Sequence, residues 1–286
     1  MKTIVGILKG IDNIIKELFK DPIGRIGLIG VILIILLSLF ADKIAPYDIT
    51  EMFTKNKLAS PDGKFIFGTD NFGRDVFSRI IFGARVSLKV GIISVGIAAS
   101  FGLLFGVIAG YFEGRVDSLI MRFMDILFAF PSILLALFIV SALGPNLTNT
   151  MIAIGIVNTP VFTRTVRASV ISVKSMEYIT SAKSIGLKSV NIILKHIIPN
   201  ILAPFTVQIT LALSGAILTE ASLSFLGLGI QPPDPSWGSM LNESRKYMEI
   251  APWLTVFPAI FIICTILSFN ILGDSLRDVL DPKLKL

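Results

Sequence analysis

The sequence predicts an all-α, polytopic membrane protein with six transmembrane helices. Two features of composition and one of pattern support this. Of the 286 residues, 53% are hydrophobic and only 16% charged, with a mean hydropathy of +0.79; soluble domains commonly carry about 25% charged residues. Five apolar stretches are long enough, or nearly so, to cross roughly 30 Å of hydrocarbon, and a sixth is shorter. The runs are continuous and do not alternate with a period of two, which excludes a membrane β-barrel.

Residues 3–20 place Ile4, Ile7, Leu8, Ile11, Ile14, Ile15 and Leu18 on one helical face. Lys9, Asp12, Lys16, Glu17 and Lys20 lie mainly on the other. An amphipathic helix that lies in a membrane interface or packs on a partner is expected over 1–22. The apolar run proper starts near Ile26 with no small-residue cleavage site after it, against a secretory signal. Asp21-Pro22 closes this helix and opens the first span, 23–41.

A polar, turn-rich segment, 42–85, follows, and the helical spacing of Phe72, Val76, Arg79, Ile80 and Gly83 predicts a short helix over Arg74 to Phe82. Arg74, Asp75 and Arg79 are expected to be charged surface residues there, in structural pairs or partner contacts. The remainder, 86–286, holds five spans. The second, about Val86 to Tyr111, carries Gly91, Gly96, Gly102, Gly106 and Gly110, which permit a neighbouring helix to approach closely. Residues 112–118 form a tight turn. In the third, about Leu119 to Leu143, Arg122 and Asp125 stand three apart and can pair; a proton-relay role for Asp125 is the alternative. The fourth, about Thr150 to Phe162, is short and interrupted by Pro160. The fifth, about Ile201 to Phe225, contains Glu220, and the sixth runs from about Pro252 to Leu272.

Between the fourth and fifth spans lies a basic and polar stretch, 164–199, whose latter part from Glu177 to Pro199 is helix-prone. Counting lysine and arginine, the face holding both termini and this stretch carries 16 basic residues against 9 on the other. The positive-inside rule therefore puts N-terminus, C-terminus and 164–199 in the cytoplasm, in a multi-pass arrangement. The net charge of +6 is spread over loops and reads as topology, not as a nucleic-acid surface. One cysteine, Cys264, rules out an intrachain disulfide and reads as apolar filler, and one histidine, His196, offers no metal site.

The stretch from Glu177 to Pro199 resembles the coupling loop of bacterial ATP-binding-cassette importers. That family's pattern is Glu-Ala-Ala, three residues, Gly, nine residues, Ile, one residue, Leu-Pro. Ala182, Gly186 and Pro199 match and Ile198 is conservative; Thr180, Ser181 and His196 depart, so Glu177 is the nearest acid. GTDNFGRDVFSRIIFGARVSL, FGVIAGYFEGRVDSLIMRFMDILFAFPSILLAL, ILKHIIPNILAP, EASLSFLGLGIQPPDPSWGSML and FNILGDSLRDVLDPKL, in that order, are similar to the peptide/nickel branch of these permeases, and to its second permease subunit.

The resemblance implies a MetI-like importer permease fold and a half-channel translocating di- or oligopeptides, with nickel or a metal chelate as the alternative cargo. It implies a homologous second permease, two cytoplasmic ATPase subunits and an extracytoplasmic solute-binding protein as partners, and the lipid bilayer of a bacterial or archaeal cell membrane as the location. No GxxxxGK[ST] occurs, so ATP is expected on a partner chain, and the chain itself is expected to have no cofactor and no catalytic residue. In the coupling loop, Gly186 suits a turn between two short helices, Ala182 lets a partner surface approach, and Pro199 suits the first turn of the fifth span. Glu220 either lines the pathway, meeting a cationic solute end, or is hydrated near the outer end of its span. Gln231, Pro232, Pro233 and Trp237 are expected on the outer rim against the binding protein, with a plain loop as the competing reading. An ion-coupled secondary transporter would want deep charges and inverted repeats, and an intramembrane enzyme a cluster of ionisable groups; neither is clear in the sequence.

Overall fold

The computed structural model describes residues 16–280. Most of the expected amphipathic helix, and the tail with Lys283 and Lys285, lie outside these residues. Regular structure among the described residues is helical, apart from a single bridge between Thr69 and Asp75. The principal helices are α1 (Pro22–Leu39), α2 (Val76–Phe112), α3 (Gly114–Phe128), α4 (Ser132–Leu143), α5 (Leu147–Lys174), α6 (Glu177–Ser184), α7 (Ile198–Phe225), α8 (Trp237–Ser244) and α9 (Trp253–Leu280).

Their ends follow from local chemistry. The Asp21 carboxylate accepts from the N–H groups of Ile23 and Gly24 at 3.2 and 2.8 Å, and Pro22 opens α1 where no intrahelical donor is needed. Asp75 caps α2 in the same way, through the Ser78 N–H at 2.7 Å.

Four described helices are long and apolar enough to cross a membrane, or five if the bent pair α3–α4 counts as one span. The expected fourth span falls in α5, which is 28 residues long but polar in composition. The physical reason is its place: α5 packs along α2 and against α7, α4 and α3, so protein rather than lipid covers much of it. Pro160 does not interrupt it, because a buried membrane helix tolerates proline where neighbours and side chains satisfy the freed carbonyl.

Two further expectations change. No separate short helix precedes the second span: α2 runs unbroken for 37 residues, about 55 Å. The third span is broken at Ala129–Pro131, where α3 and α4 meet at 87°. Its expected Arg122–Asp125 pair is replaced by a long-range one, Arg164 to Asp125 at 2.7 Å.

The glycines of α2 do bring a neighbour close, and it is α5. A Cβ on Gly102 would sit 2.2 Å from Phe162 Cβ, on Gly106 2.6 Å from Val166 Cβ, and on Gly110 2.8 Å from Val170 Cβ. Gly96 differs, with open space where its side chain would be. A second such seam joins α1 to α9, where Gly24, Gly27 and Gly30 lie against Ser275, Ile271 and Ser268.

Residues 45–75 fold over one end of the bundle. Arg74, Asp75 and Arg79 are not surface charges: all three are buried. Arg74 bridges Asp70 (2.6 Å) and Glu243 on α8 (2.9 Å), and Arg79 donates to the Ile49 carbonyl (3.2 Å). A buried charge persists only when paired in this manner. Burial pushes the Asp75 carboxyl up, while the Ser78 hydroxyl and N–H draw it down. Its Oδ1 has no hydrogen-bond partner among the described residues.

Candidate functional site

The stretch after α5 folds as one short helix, α6, and the start of a long one, joined by a glycine turn instead of the expected pair of short helices. α6 ends at Ser184, and two residues on stands Gly186, whose φ of +81° is open to glycine at little cost. The Gly186 N–H donates to the Lys183 carbonyl at 3.0 Å and the Leu187 N–H to the Ala182 carbonyl at 3.2 Å, which together form a Schellman cap. Leu187 then turns in against the apolar cluster below. A Cβ on Gly186 would meet nothing within 4 Å, so the requirement there is backbone conformation, not space.

The chain re-enters a helix at Ser189–Ile192, widens into a π-helical turn at Ile193–Ile197 and continues as α7. Pro199 sits in the first turn of α7 as expected, but that turn is not a fresh start, since Ser189–Phe225 runs as one 37-residue helix. Proline lacks the N–H that would reach the Lys195 carbonyl, and the wide turn immediately before it accommodates the misfit.

The two faces of α6 are chemically distinct. Glu177, Thr180, Ser181 and Ser184 recur at three- and four-residue spacing and are exposed, while Ile179 and Ala182 point inward. Ala182 is 7% exposed and packs with Ile179, Ile192 and Ile197 on Val107, Tyr111, Val166 and Val170. Its small size therefore serves the fit of the loop on its own bundle, not the approach of a partner. Ile185, Val190 and Leu194 stay outside, at 78%, 63% and 57% exposure. The signal for them in the sequence is weak: they are apolar residues that fall off the Ile179–Ala182 face of a polar stretch.

Three ion pairs anchor the helix that leads into this loop. Lys174 meets Glu113 at 2.9 Å and the Tyr111 carbonyl at 2.6 Å; Arg167 meets Asp117, and Arg164 meets Asp125. Each joins α5 to α3 or to the residue before it. The Lys174 ammonium holds the Glu113 carboxyl below the usual carboxylate range.

The remaining predicted residues lie far along the chain. Glu220 is fully buried, accepting from the Ser87 hydroxyl at 3.1 Å and the Ser224 hydroxyl at 2.8 Å. Neither an exposed pathway position nor a hydrated one describes this chain's Glu220. Trp237 is also fully buried: its indole N–H donates to the Ile80 carbonyl at 3.0 Å, and the ring fills the space left by Gly83. It is therefore no contact for a partner, and it opens α8 behind the Ser236–Ser239 capping box. Gln231, Pro232 and Pro233 are exposed as expected. The two prolines edge an open groove of about 600 Å³ whose other walls include Phe72, Arg74, Glu243 and Tyr247.

Residues 102–286 match the family described as binding-protein-dependent transport system inner membrane component, and residues 12–61 match the N-terminal TM domain of oligopeptide transport permease C. The chain is 49% identical to a dipeptide transport system permease protein of Alkalihalophilus pseudofirmus, over 94% of this chain and 89% of that one. It is 49% identical to a glutathione transport system permease protein of Escherichia coli, over 89% and 84%. A di/tripeptide transport system permease protein of Pseudomonas aeruginosa is 46% identical over 91% and 88%. Among solved structures, the inward-facing MetNI methionine ABC transporter superposes with a TM-score of 0.61 at 15% identity, covering 71% of this chain and 97% of that one. At that identity the likeness establishes the fold alone.

Proposed function

The chain belongs to the family of inner membrane components of binding-protein-dependent transport systems, and from that premise we propose that it is one half-channel of an importer that carries di- or oligopeptides. ATP in such systems is handled by a partner ATPase, and this chain is the multi-pass membrane component. The peptide reading is supported by the relatives named above, whose cargoes are dipeptides, di/tripeptides and glutathione. In this reading a homologous second permease completes the channel, two ATPases bind on the cytoplasmic side, and a solute-binding protein delivers cargo outside. Both termini and 164–199 face the cytoplasm, 42–85 lies outside, and 86–286 forms the core.

The observation that carries the mechanism is the loop itself. Its inward face is fixed to the bundle by Ile179, Ala182 and Ile192, while Glu177, Thr180, Ser181, Ile185 and Val190 are free for a docked ATPase. Exposed apolar side chains grouped on a polar surface are a feature of interaction sites. Closure of the ATPases would push this loop, and because it continues without a break into α7, the push tilts α7 and α5 as rigid bodies. Pro232 and Pro233 edge the groove proposed to receive the binding protein, and the exposed Gln231 precedes them.

The test is import of a labelled dipeptide into sealed right-side-out vesicles holding the whole complex with its binding protein. Import that requires internal ATP and an intact partner ATPase is expected. Import that ignores ATP and collapses with an uncoupler alone would assign the chain to ion-coupled carriers instead.

A further inference from the structure

A second cavity, of about 560 Å³, lies between α5, α7 and α9, lined by Thr165, Asn200, Gln208 and Arg277 over a floor that includes Pro204 and Leu211. Asn200 follows Pro199 directly, so the cavity opens beside the loop described above. We propose that this cavity is an inner station on the solute's route, in which Arg277 takes the carboxylate end of a short peptide. The proposal rests on the peptide-import reading and adds a site to it.

Four observations support it. The volume falls within the range of small-molecule sites, roughly 300–1,000 Å³. Arg277 forms no ion pair with any described residue, although Asp274 and Asp278 stand on the same helix. A cation in the last turn of a helix complements the helix dipole wherever it points; this one also lines a cavity, and a guanidinium matches a carboxylate in geometry and charge. The neutral groups have capacity to spare. Thr165 spends its hydroxyl proton on the Val161 carbonyl (3.0 Å) and Asn200 spends an amide proton on the His196 carbonyl (2.6 Å), which leaves both side-chain oxygens as acceptors. Gln208 makes no side-chain hydrogen bond with the described residues. Pro204 has no N–H for the Asn200 carbonyl four residues back, so the wall presents a backbone acceptor as well. Acceptors beside one cation suit the ammonium, amide and carboxylate groups of a short peptide. The apolar floor tolerates varied side chains.

The test uses the whole complex without nucleotide in phosphatidylcholine nanodiscs, and two photoreactive dipeptide probes, one ending in a free carboxylate and one in a carboxamide. The acid is expected to label residues 200–211 at least tenfold more than the amide. Arg277→Gln should bring the acid down to the amide's level, and Arg277→Lys should restore part of the difference. Equal labelling by acid and amide, or wild-type labelling in Arg277→Gln, would overturn the station. Displacement of the acid by added phosphatidylglycerol would assign the cavity to a lipid headgroup and overturn it too. ATP-driven import of the acid by the wild-type complex is read in parallel. Its absence counts against peptide import as such, whereas intact import with equal labelling counts against the station alone.

Discussion

Arg167 holds Asp117 with both ends of its guanidinium edge, Nε to Oδ1 at 2.5 Å and Nη2 to Oδ2 at 2.6 Å. The pair joins residues 50 positions apart and fixes α3 to the half of α5 that leads into the exposed loop. A two-pronged, half-buried contact of this type is worth about 1.5–3 kcal/mol, less what solvent screens. Asp117→Asn should lower the melting temperature of the purified complex, and Asp117→Arg more so. Combining Asp117→Arg with Arg167→Asp should recover part of the loss. A double variant no better than the worse single one would show that the contact contributes nothing of its own.

The neighbouring Glu113–Lys174 pair predicts a pH dependence. Lys174 lowers the Glu113 carboxyl from its ordinary value of 4.5. A carboxyl lowered by folding contributes stability that is complete above the unfolded value and disappears as pH falls through the lowered one. Wild type and Glu113→Gln should therefore differ in thermal stability at pH 7 and converge as pH falls below 4.5 and through the lowered value. A difference that persists undiminished in acid would rule out this origin.

Much of the site was legible from local chemistry, and the rest depended on contacts that spacing does not encode. The Asp21 cap, the glycine face of α2 and the turn at Gly186 follow from residue type and near neighbours. Asp125 was expected to pair with Arg122 because a helix brings residues three apart together, yet its partner is 39 positions away. Trp237 carried the composition of an interfacial residue; only the tertiary fold shows that Gly83 leaves room for the ring and Ile80 offers it an acceptor. Ala182 matched a motif position, but which way a small residue faces is set by the helix it lies on.

Close packing of α2 on α5 gives a paired prediction. Gly106→Val would place a Cβ 2.6 Å from Val166 Cβ and 2.8 Å from the Thr163 carbonyl oxygen, so the helices must separate. Overpacking of this order costs about 1–3 kcal/mol, and assembly of the complex should fall. Gly96→Val on the same helix meets open space within this chain and should assemble as wild type does. Equal yields of both variants on size-exclusion chromatography would show that the seam does not govern assembly.

At Gly186 the expectation concerns coupling. Any L-residue at φ +81° incurs about 1–2 kcal/mol of backbone strain, with no clash added inside the chain. Gly186→Glu should thus insert and assemble normally but lose solute-stimulated ATP hydrolysis and most import. Wild-type import with wild-type stimulation in that variant would remove the loop from the mechanism.

Glu220 separates a structural carboxyl from a transport charge. It is enclosed, and its two oxygens accept from Ser87 on α2 and Ser224 one turn along α7. An amide keeps one acceptor oxygen at that place and removes the charge. If the carboxylate joins α2 to α7 and never meets solute, Glu220→Gln should import within about twofold of wild type, whereas Glu220→Ala, which strips both hydroxyls of their acceptor, should lose about 1–3 kcal/mol of stability. The decisive comparison is import of a peptide with a free amino terminus against its acetylated form. A charge that greets a cationic end would make Glu220→Gln lose the free form selectively. A structural carboxyl leaves the ratio of the two unchanged.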